Sequence, residues 1–543
     1  MKNNSNLPYY LFAAFLLGMI LGKYCFGTSK DKVEFSLFNG KPSKLQSVIN
    51  IVDTRYVDII NIDSLTELVI PEVLSHLDPH TSYISAGNRN EVEKNLNGKF
   101  CGVGIEYNVF NDTIEILYTS PDGPARKAGL RPGDQLIYVD TIYAVAPYKR
   151  NPAIKAISGN LGSTVDLKVK RYGCDSLIPI RLERGYVTVN NVTTAYMVDT
   201  ATGYIKIESF GNNSYNEFMY QLKKLEQQKA RNLIIDLRDN GGGRVDQAKQ
   251  IVSTLLPPGD TIAYTTNRSN NIEEVMTDTT QMALCQRMKI VCLVNSKTAS
   301  ASEIMTGAIQ DNDRGIILGR RTYGKGLVQT PIQLNDGSLI RLTTERYYTP
   351  SGRSLQKSYL NHKNELAIRV IRGEMDSAGA YHPADTTRYY TRNGRTVYSK
   401  GGIMPDIFVA ENHKYKKGIF YSMDSASIYH RYAAMRHSII PGTDSTANAD
   451  YIGQLTQNPD ATLDDMIEFA NSNGLNISKK KDKKFLQENG EKMLAYMLAY
   501  AYHIADSDDD YYRLNNYGDT DIEAALQTIY DGDSFAQLLN INE

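Results

Sequence analysis

The chain has little of what usually holds a metal ion or a disulfide framework. Its five cysteines, Cys25, Cys101, Cys174, Cys285 and Cys292, are scattered through 543 residues without metal-ligand spacing, and an odd count argues against a disulfide network. No metal and no cofactor is expected. None of the eight histidines falls between residues 295 and 329, where the motifs are densest. That weakens a Ser-His-Asp centre there, although a distant histidine can fold in. The formal net charge is −1, so no excess of either sign argues for a nucleic-acid partner. The loop Arg238-Asp239-Asn240-Gly241-Gly242-Gly243 is a nest of backbone donors, but it lacks the Gly-Lys-Ser/Thr of a P-loop, which argues against nucleotide binding.

Residues 7–22 form an apolar run ended by Lys23, short for a spanning helix and suited to a signal-peptide core. No clear small-residue cleavage site follows, and Gly22-Lys23-Tyr24 ahead of Cys25 makes a poor lipoprotein signal. Export with a retained membrane anchor in residues 1–27 is the expectation. The alternative is a cleaved signal and a soluble product.

The chain is long enough for three or four domains. After a charged and polar linker at 28–42, apolar residues recur at helical spacing through 43–97: Leu45, Ile49 and Val52, then Leu65, Val69, Ile70, Val73 and Leu74. Residues 98–185 read as short alternating strands broken by glycine and proline turns, a β domain. Residues 186–411 read as α/β, with a strand at 203–207, a helix at 215–228 and a buried strand at 233–237. Residues 337–348 alternate like one arm of a hairpin. Its partner is expected at 402–406, across a polar, tyrosine-rich insertion at 357–399 to which no role attaches. Residues 412–543 read as amphipathic helices, and the basic run 479–484 as a solvated linker rather than a binding patch.

Residues 295–329 organise the rest. The apolar run Ile290-Val291-Cys292-Leu293-Val294 leads to Ser300, which opens a helix-compatible stretch, and residues 315–319 read as a second buried strand. Such a βαβ unit presents functional groups at the carboxyl ends of its strands. A serine at the helix start sits beside free N–H groups and the positive end of the dipole, which suit developing negative charge. Lys325 follows in the turn Tyr323-Gly324-Lys325-Gly326. Together they point to a serine/lysine hydrolase centre. Two plainer accounts compete, since Ser300-Ala301-Ser302-Glu303 is also a capping box and most lysines are solvated surface charges.

Ser-Ala-Ser-Glu-Ile, Gln-Asp, Gly-Arg and Tyr-Gly-Lys-Gly-Leu-Val-Gln, in this order and spacing, resemble the carboxyl-terminal processing, or tail-specific, proteases. The resemblance covers residues 45–409. It implies Ser300 as nucleophile, Lys325 as general base and Gln329 as the group that orients the lysine, with Ser302 a decoy by its spacing to Lys325. It also implies an oxyanion hole from the N–H groups of Gly242 and Ala301, although Gly241 stands where the family usually has proline. Leu77-Asp78-Pro79-His80-Thr81-Ser82-Tyr83 resembles a motif that precedes the PDZ domain of these proteases, and His80 itself reads as structural. Ser120-Pro121 and Ala128-Gly129-Leu130-Arg131-Pro132-Gly133-Asp134 are similar to a PDZ signature. In PDZ domains a glycine loop holds a peptide carboxylate while the peptide adds as a strand. That role would fall on Phe100, Cys101, Gly102, Val103, Gly104 and Ile105, whose glycines could equally turn a barrel corner.

The expected fold is therefore α/β and α+β multidomain, a βαβ-containing serine protease core with an inserted PDZ-like β domain, an N-terminal anchor or signal, and a helical C-terminal domain at 412–543. The expected function is an exported serine endopeptidase working through an acyl-enzyme, on the periplasmic side of the cell envelope and held at the inner membrane. Its partners would be protein or peptide substrates read at the carboxyl terminus, with homo-oligomerisation left open. The competing class is a non-catalytic PDZ scaffold or holdase.

Overall fold

The computed structural model describes residues 43–89, 99–145, 150–277, 287–359, 364–381, 386–399, 401–412, 418–440 and 445–540. The expected anchor and linker, residues 1–42, lie outside these. Among the described residues no helix is long and apolar enough to cross a membrane. The chain divides into two compact units, Met1–Ile70 and Pro71–Glu543. In the first, the helix Lys44–Arg55 begins at Ser43, whose hydroxyl accepts from the Gln46 N–H at 3.2 Å, an N-cap. It buries none of its residues, and Leu45, Val48 and Ile51 stay exposed. A second helix spans Ile62–Ser75.

The second unit is built on a six-stranded sheet in the order 192–197, 202–207, 232–236, 289–294, 316–319, 407–408. Its first strand is antiparallel and the other five are parallel. The inner strands are continuous apolar runs because both faces are covered. The helices Ser214–Gln227, Val245–Leu255 and Ala301–Asp311 bury Phe218, Leu222, Ile251, Ile304 and Met305 against one face. The other face takes Ile522, Ala525 and Ile529 of the helix Thr520–Tyr530, with Phe535 just beyond. The last part of the expected helical C-terminal domain, 412–543, is thus packed as a layer of this sheet's core.

The hairpin expectation is also corrected. Leu339–Tyr348 pairs with Leu327–Gln333, immediately before it, and not with 402–406. The short turn, closed by Leu334 N–H to the Ser338 carbonyl at 2.9 Å with Gly337 at φ +87°, costs far less entropy than closing a long insertion. Residues 402–406 instead lead into Ile407–Phe408, the parallel edge strand.

The β domain is an antiparallel sheet in the order 105–110, 113–119, 135–139, 164–170, 178–183, with Ile142–Tyr143 paired to the third strand. Ile105–Phe110 lies at its edge. The helices Ile428–Ser438 and Lys483–Ile504 belong to a bundle with its own core of Tyr429, Tyr432, Tyr451, Met493 and Met497. This bundle rests on the β domain. Arg431 reaches Glu115 at 3.3 Å, both buried, and a Cβ on Gly133 would stand 2.9 Å from the Ala434 carbonyl oxygen.

Candidate active site

Ser300 lies at the carboxyl end of the strand Lys289–Val294, as the N-cap of the fully buried helix Ala301–Asp311. Its backbone has φ +58° and ψ −118°, a region a non-glycine residue occupies at a cost of about 1–3 kcal/mol. The loop 238–243 holds it there. A Cβ on Gly242, itself at φ +101°, would stand 2.7 Å from the Ala299 carbonyl oxygen and 2.8 Å from Ser300 Cβ, so only glycine lets the two loops touch. Asn240 ties them further, because its carbonyl accepts from the Ala299 N–H at 3.0 Å and from Ser302 Oγ at 3.1 Å. Ser302, the decoy, is therefore fully buried with its hydroxyl engaged, while Ser300 keeps partial access.

Glu303 joins the Ser300 turn to the Lys325 turn. Its buried carboxylate accepts from the Ser300 N–H at 3.0 Å, the Lys325 N–H at 2.9 Å, the Gly324 N–H at 2.7 Å and Thr322 Oγ1 at 2.5 Å. Burial pushes its pKa up against these four bonds. Lys325 Nζ donates to Gln329 Oε1 at 2.8 Å, and Gln329 Nε2 donates to the His80 carbonyl at 2.5 Å. A β-bulge between Val328 and Gln329 interrupts the ladder just where Gln329 turns to the lysine. Burial, then the neighbouring Arg341, pulls the Lys325 pKa below the ordinary lysine value, with Glu303 and Asp78 opposing. The fold so brings Ser300, Lys325 and Gln329 to one place.

The two expected oxyanion donors differ in their surroundings. Ala301 N–H, at the first turn of its helix, has no partner among the described residues, but the Gly242 N–H is donated to Asn240 Oδ1 at 2.8 Å and is engaged in this conformation. The expected carboxylate loop is also partly ladder. Phe100, Cys101 and Gly102 lie in the strand Lys99–Gly102, paired with Gly185–Thr188. Val103 and Gly104 form the bend, their carbonyls accepting from Ala125 at 2.8 Å and Ser120 at 2.9 Å, and Ile105 opens the edge strand. A polar cavity of about 540 Å³ lies at the start of the loop 238–243, lined by Lys206, Asp236, Arg238, Lys297, Arg320 and Asp519, and Ser300 does not line it.

Residues 201–363 match the family model described as Peptidase family S41. The carboxy-terminal-processing protease of Bartonella bacilliformis is 33% identical over 309 residues, covering 56% of this chain and 70% of that protein. The chain belongs to the carboxy-terminal-processing protease family. It is accordingly a serine-type peptidase. The carboxyl-terminal-processing protease of Synechocystis sp. is likewise 33% identical, over 299 residues, 54% of this chain and 69% of that one. A solved photosystem II D1 C-terminal processing protease matches at 27% identity over 57% of this chain and 89% of its own, with a TM-score of 0.33.

Three features of this carboxy-terminal-processing protease escaped sequence reasoning. Glu303 was visible only as the third position of a capping box, and nothing local says that it also holds the lysine turn. His80 acts through its carbonyl, which any residue type has. Tyr347 places its hydroxyl against the Lys325 carbonyl and 3.3 Å from that of Ser300, a contact across two elements with no sequence signal.

Proposed function

We propose that this carboxy-terminal-processing protease is an exported endopeptidase in which Ser300 is the nucleophile and Lys325 its base. The observation that carries the proposal is the desolvated Lys325 amine, held by Gln329 Oε1 at 2.8 Å in a turn that shares Glu303 with the turn of Ser300. Neutral Lys325 takes the proton of Ser300 Oγ as that oxygen attacks the scissile carbonyl. The oxyanion accepts from the Ala301 N–H, and from Gly242 once its N–H leaves Asn240. The ammonium returns its proton to the leaving amine, and water, deprotonated by Lys325, then releases the acyl group from Ser300. Substrates are read at a free carboxyl terminus by the β domain, through strand addition to Ile105–Phe110 beside the Gly104 bend. Export and membrane anchoring rest on the apolar run at 7–22.

The test is hydrolysis of one peptide across pH by wild type, Ser300→Ala and Lys325→Arg. Wild-type kcat/KM should rise with pH along an acid limb lying below the ordinary lysine range, because the base works only when deprotonated. Ser300→Ala should be dead. Lys325→Arg should be dead too, since a guanidinium is not deprotonated in proteins. Full activity in Lys325→Arg would remove lysine from the mechanism.

A further inference from the structure

Two arginines flank the strand that leads to Ser300. Arg238 follows the strand Asn232–Asp236 and opens the loop 238–243, and Arg320 follows the strand Ile316–Gly319 and opens the path to Lys325. Lys289–Val294 runs between these two strands, which therefore stand about 9–10 Å apart. Asp521, in the first turn of the helix Thr520–Tyr530, spans that gap. Its Oδ2 accepts from Arg238 at 3.0 Å and its Oδ1 from Arg320 at 2.6 Å. It is 2% exposed, and among the described residues it is the one carboxylate paired with both arginines. Asp519, the N-cap of the same helix, adds a bond to Arg238 at 2.7 Å and accepts the Asp521 N–H at 2.9 Å.

Both arginines lie two residues from groups at the site. Arg238 is two residues from Asn240, whose carbonyl holds Ala299 and Ser302. Arg320 is two residues from Thr322, whose hydroxyl bonds Glu303 at 2.5 Å. We infer that Asp521 is a positioning residue for proteolysis, a single buried carboxylate from the C-terminal region that sets the spacing between the oxyanion loop and the lysine turn. This rests on the Ser300–Lys325 mechanism proposed above. Arg238 also holds Asp236 at 2.6 Å and Asp519 at 2.7 Å, so removing the Asp521 charge leaves Arg238 paired and cuts the link from that side to Arg320, and the two loops are free to part while the substrate-binding β domain is untouched.

Asp521→Asn keeps the shape and removes the charge. Measured on the full chain with one peptide substrate, kcat should fall roughly 10- to 100-fold with KM changed less than about two-fold, and labelling of Ser300 by a fluorophosphonate probe should slow in parallel. Ile529→Ala loosens the same helix in its apolar layer, away from the arginines, and should lower the melting temperature while leaving kcat at the wild-type value. Wild-type kcat in Asp521→Asn, or a loss no greater than that of Ile529→Ala, overturns the inference. Should Asp521→Asn not be recovered folded, Arg320→Gln cuts the same tie from the loop side and carries the same expectation and the same refutation. Ser300→Ala and Lys325→Ala are assayed alongside. If they cleave, the dyad itself fails, whereas if they are dead and Asp521→Asn has full kcat, only the tie fails.

Discussion

Ser300 and Ser302 differ by two positions and by everything around them. Ser302 Oγ is buried and spent on the Asn240 carbonyl, which keeps a second donor in the Ala299 N–H. Ser302→Ala should therefore lose about 1 kcal/mol of stability, the worth of one hydrogen bond, and keep substantial proteolysis, as melting and peptide assays would show. Glu303 is a heavier case. Its carboxylate serves donors from both turns, so Glu303→Ala leaves several buried donors unpaired and should cost roughly 2–4 kcal/mol, with loss of activity at temperatures where the variant is still folded. Unfolding midpoints and fluorophosphonate labelling, compared with those of Ser302→Ala, separate the two effects. Retained wild-type labelling in Glu303→Ala would show that the Ser300 turn holds its strained backbone without it.

At the scale of elements, the edge strand Ile105–Phe110 is the part that the proposed substrate recognition depends on. Its alternation divides the labour. Glu106 lies 3.8 Å from His503 of the bundle and Asn108 Nδ2 bonds Ser427 Oγ at 3.4 Å, while Ile105 and Val109 pack toward the domain core. A free-acid peptide that ends in the substrate's own carboxyl terminus should bind the full chain several-fold more tightly than its amide, because the proposed reading of the terminus at the glycine bend before the edge strand needs the carboxylate. Equal affinity in a fluorescence-anisotropy titration would show that the terminus is not read. The hairpin Leu327–Gln333 with Leu339–Tyr348 shows the complementary point, that one bulge in a ladder places Gln329 within 2.8 Å of Lys325.

At the scale of the molecule, the C-terminal region does two jobs. Its last helices cover Tyr204, Ile234, Val291, Leu293 and Leu318 on the sheet, so a chain truncated after 515 exposes that apolar face and should be recovered aggregated. Soluble, active truncated protein would contradict the layer. Its bundle meets the β domain through His503, stacked on Tyr118 and bonded to Asp508 at 3.0 Å. Burial opposes protonation of His503, but the bonds to Asp508 and Glu106 outweigh it and push the pKa up to about 9. Its charged form is thus favoured by folding. The stability it contributes is fully present below about 6.5 and is lost as pH rises through about 9. The melting temperature of wild type should fall more between pH 7 and pH 10 than that of His503→Gln. Parallel curves would refute the linkage.

What the sequence by itself determined is what short-range chemistry encodes. The apolar runs at 290–294 and 315–319, the capping box at Ser300, the glycine turn around Lys325 and the alternation through the β domain each specify a local conformation, and among the described residues each element formed where its pattern stands. Ser300, Lys325 and Gln329 stood out as candidates because the motif carries them within thirty residues. Only the tertiary structure decided the rest. The Gly242 N–H is taken by a side chain two residues earlier, the partner of 339–348 is its neighbour rather than 402–406, and a carboxylate near the end of the chain lies between arginines more than two hundred residues away. Ion pairs of that separation have no period and no propensity. They exist because packing the helix Thr520–Tyr530 on the sheet buries Asp521 where it can bridge Arg320 to Arg238, which also holds Asp236 and Asp519.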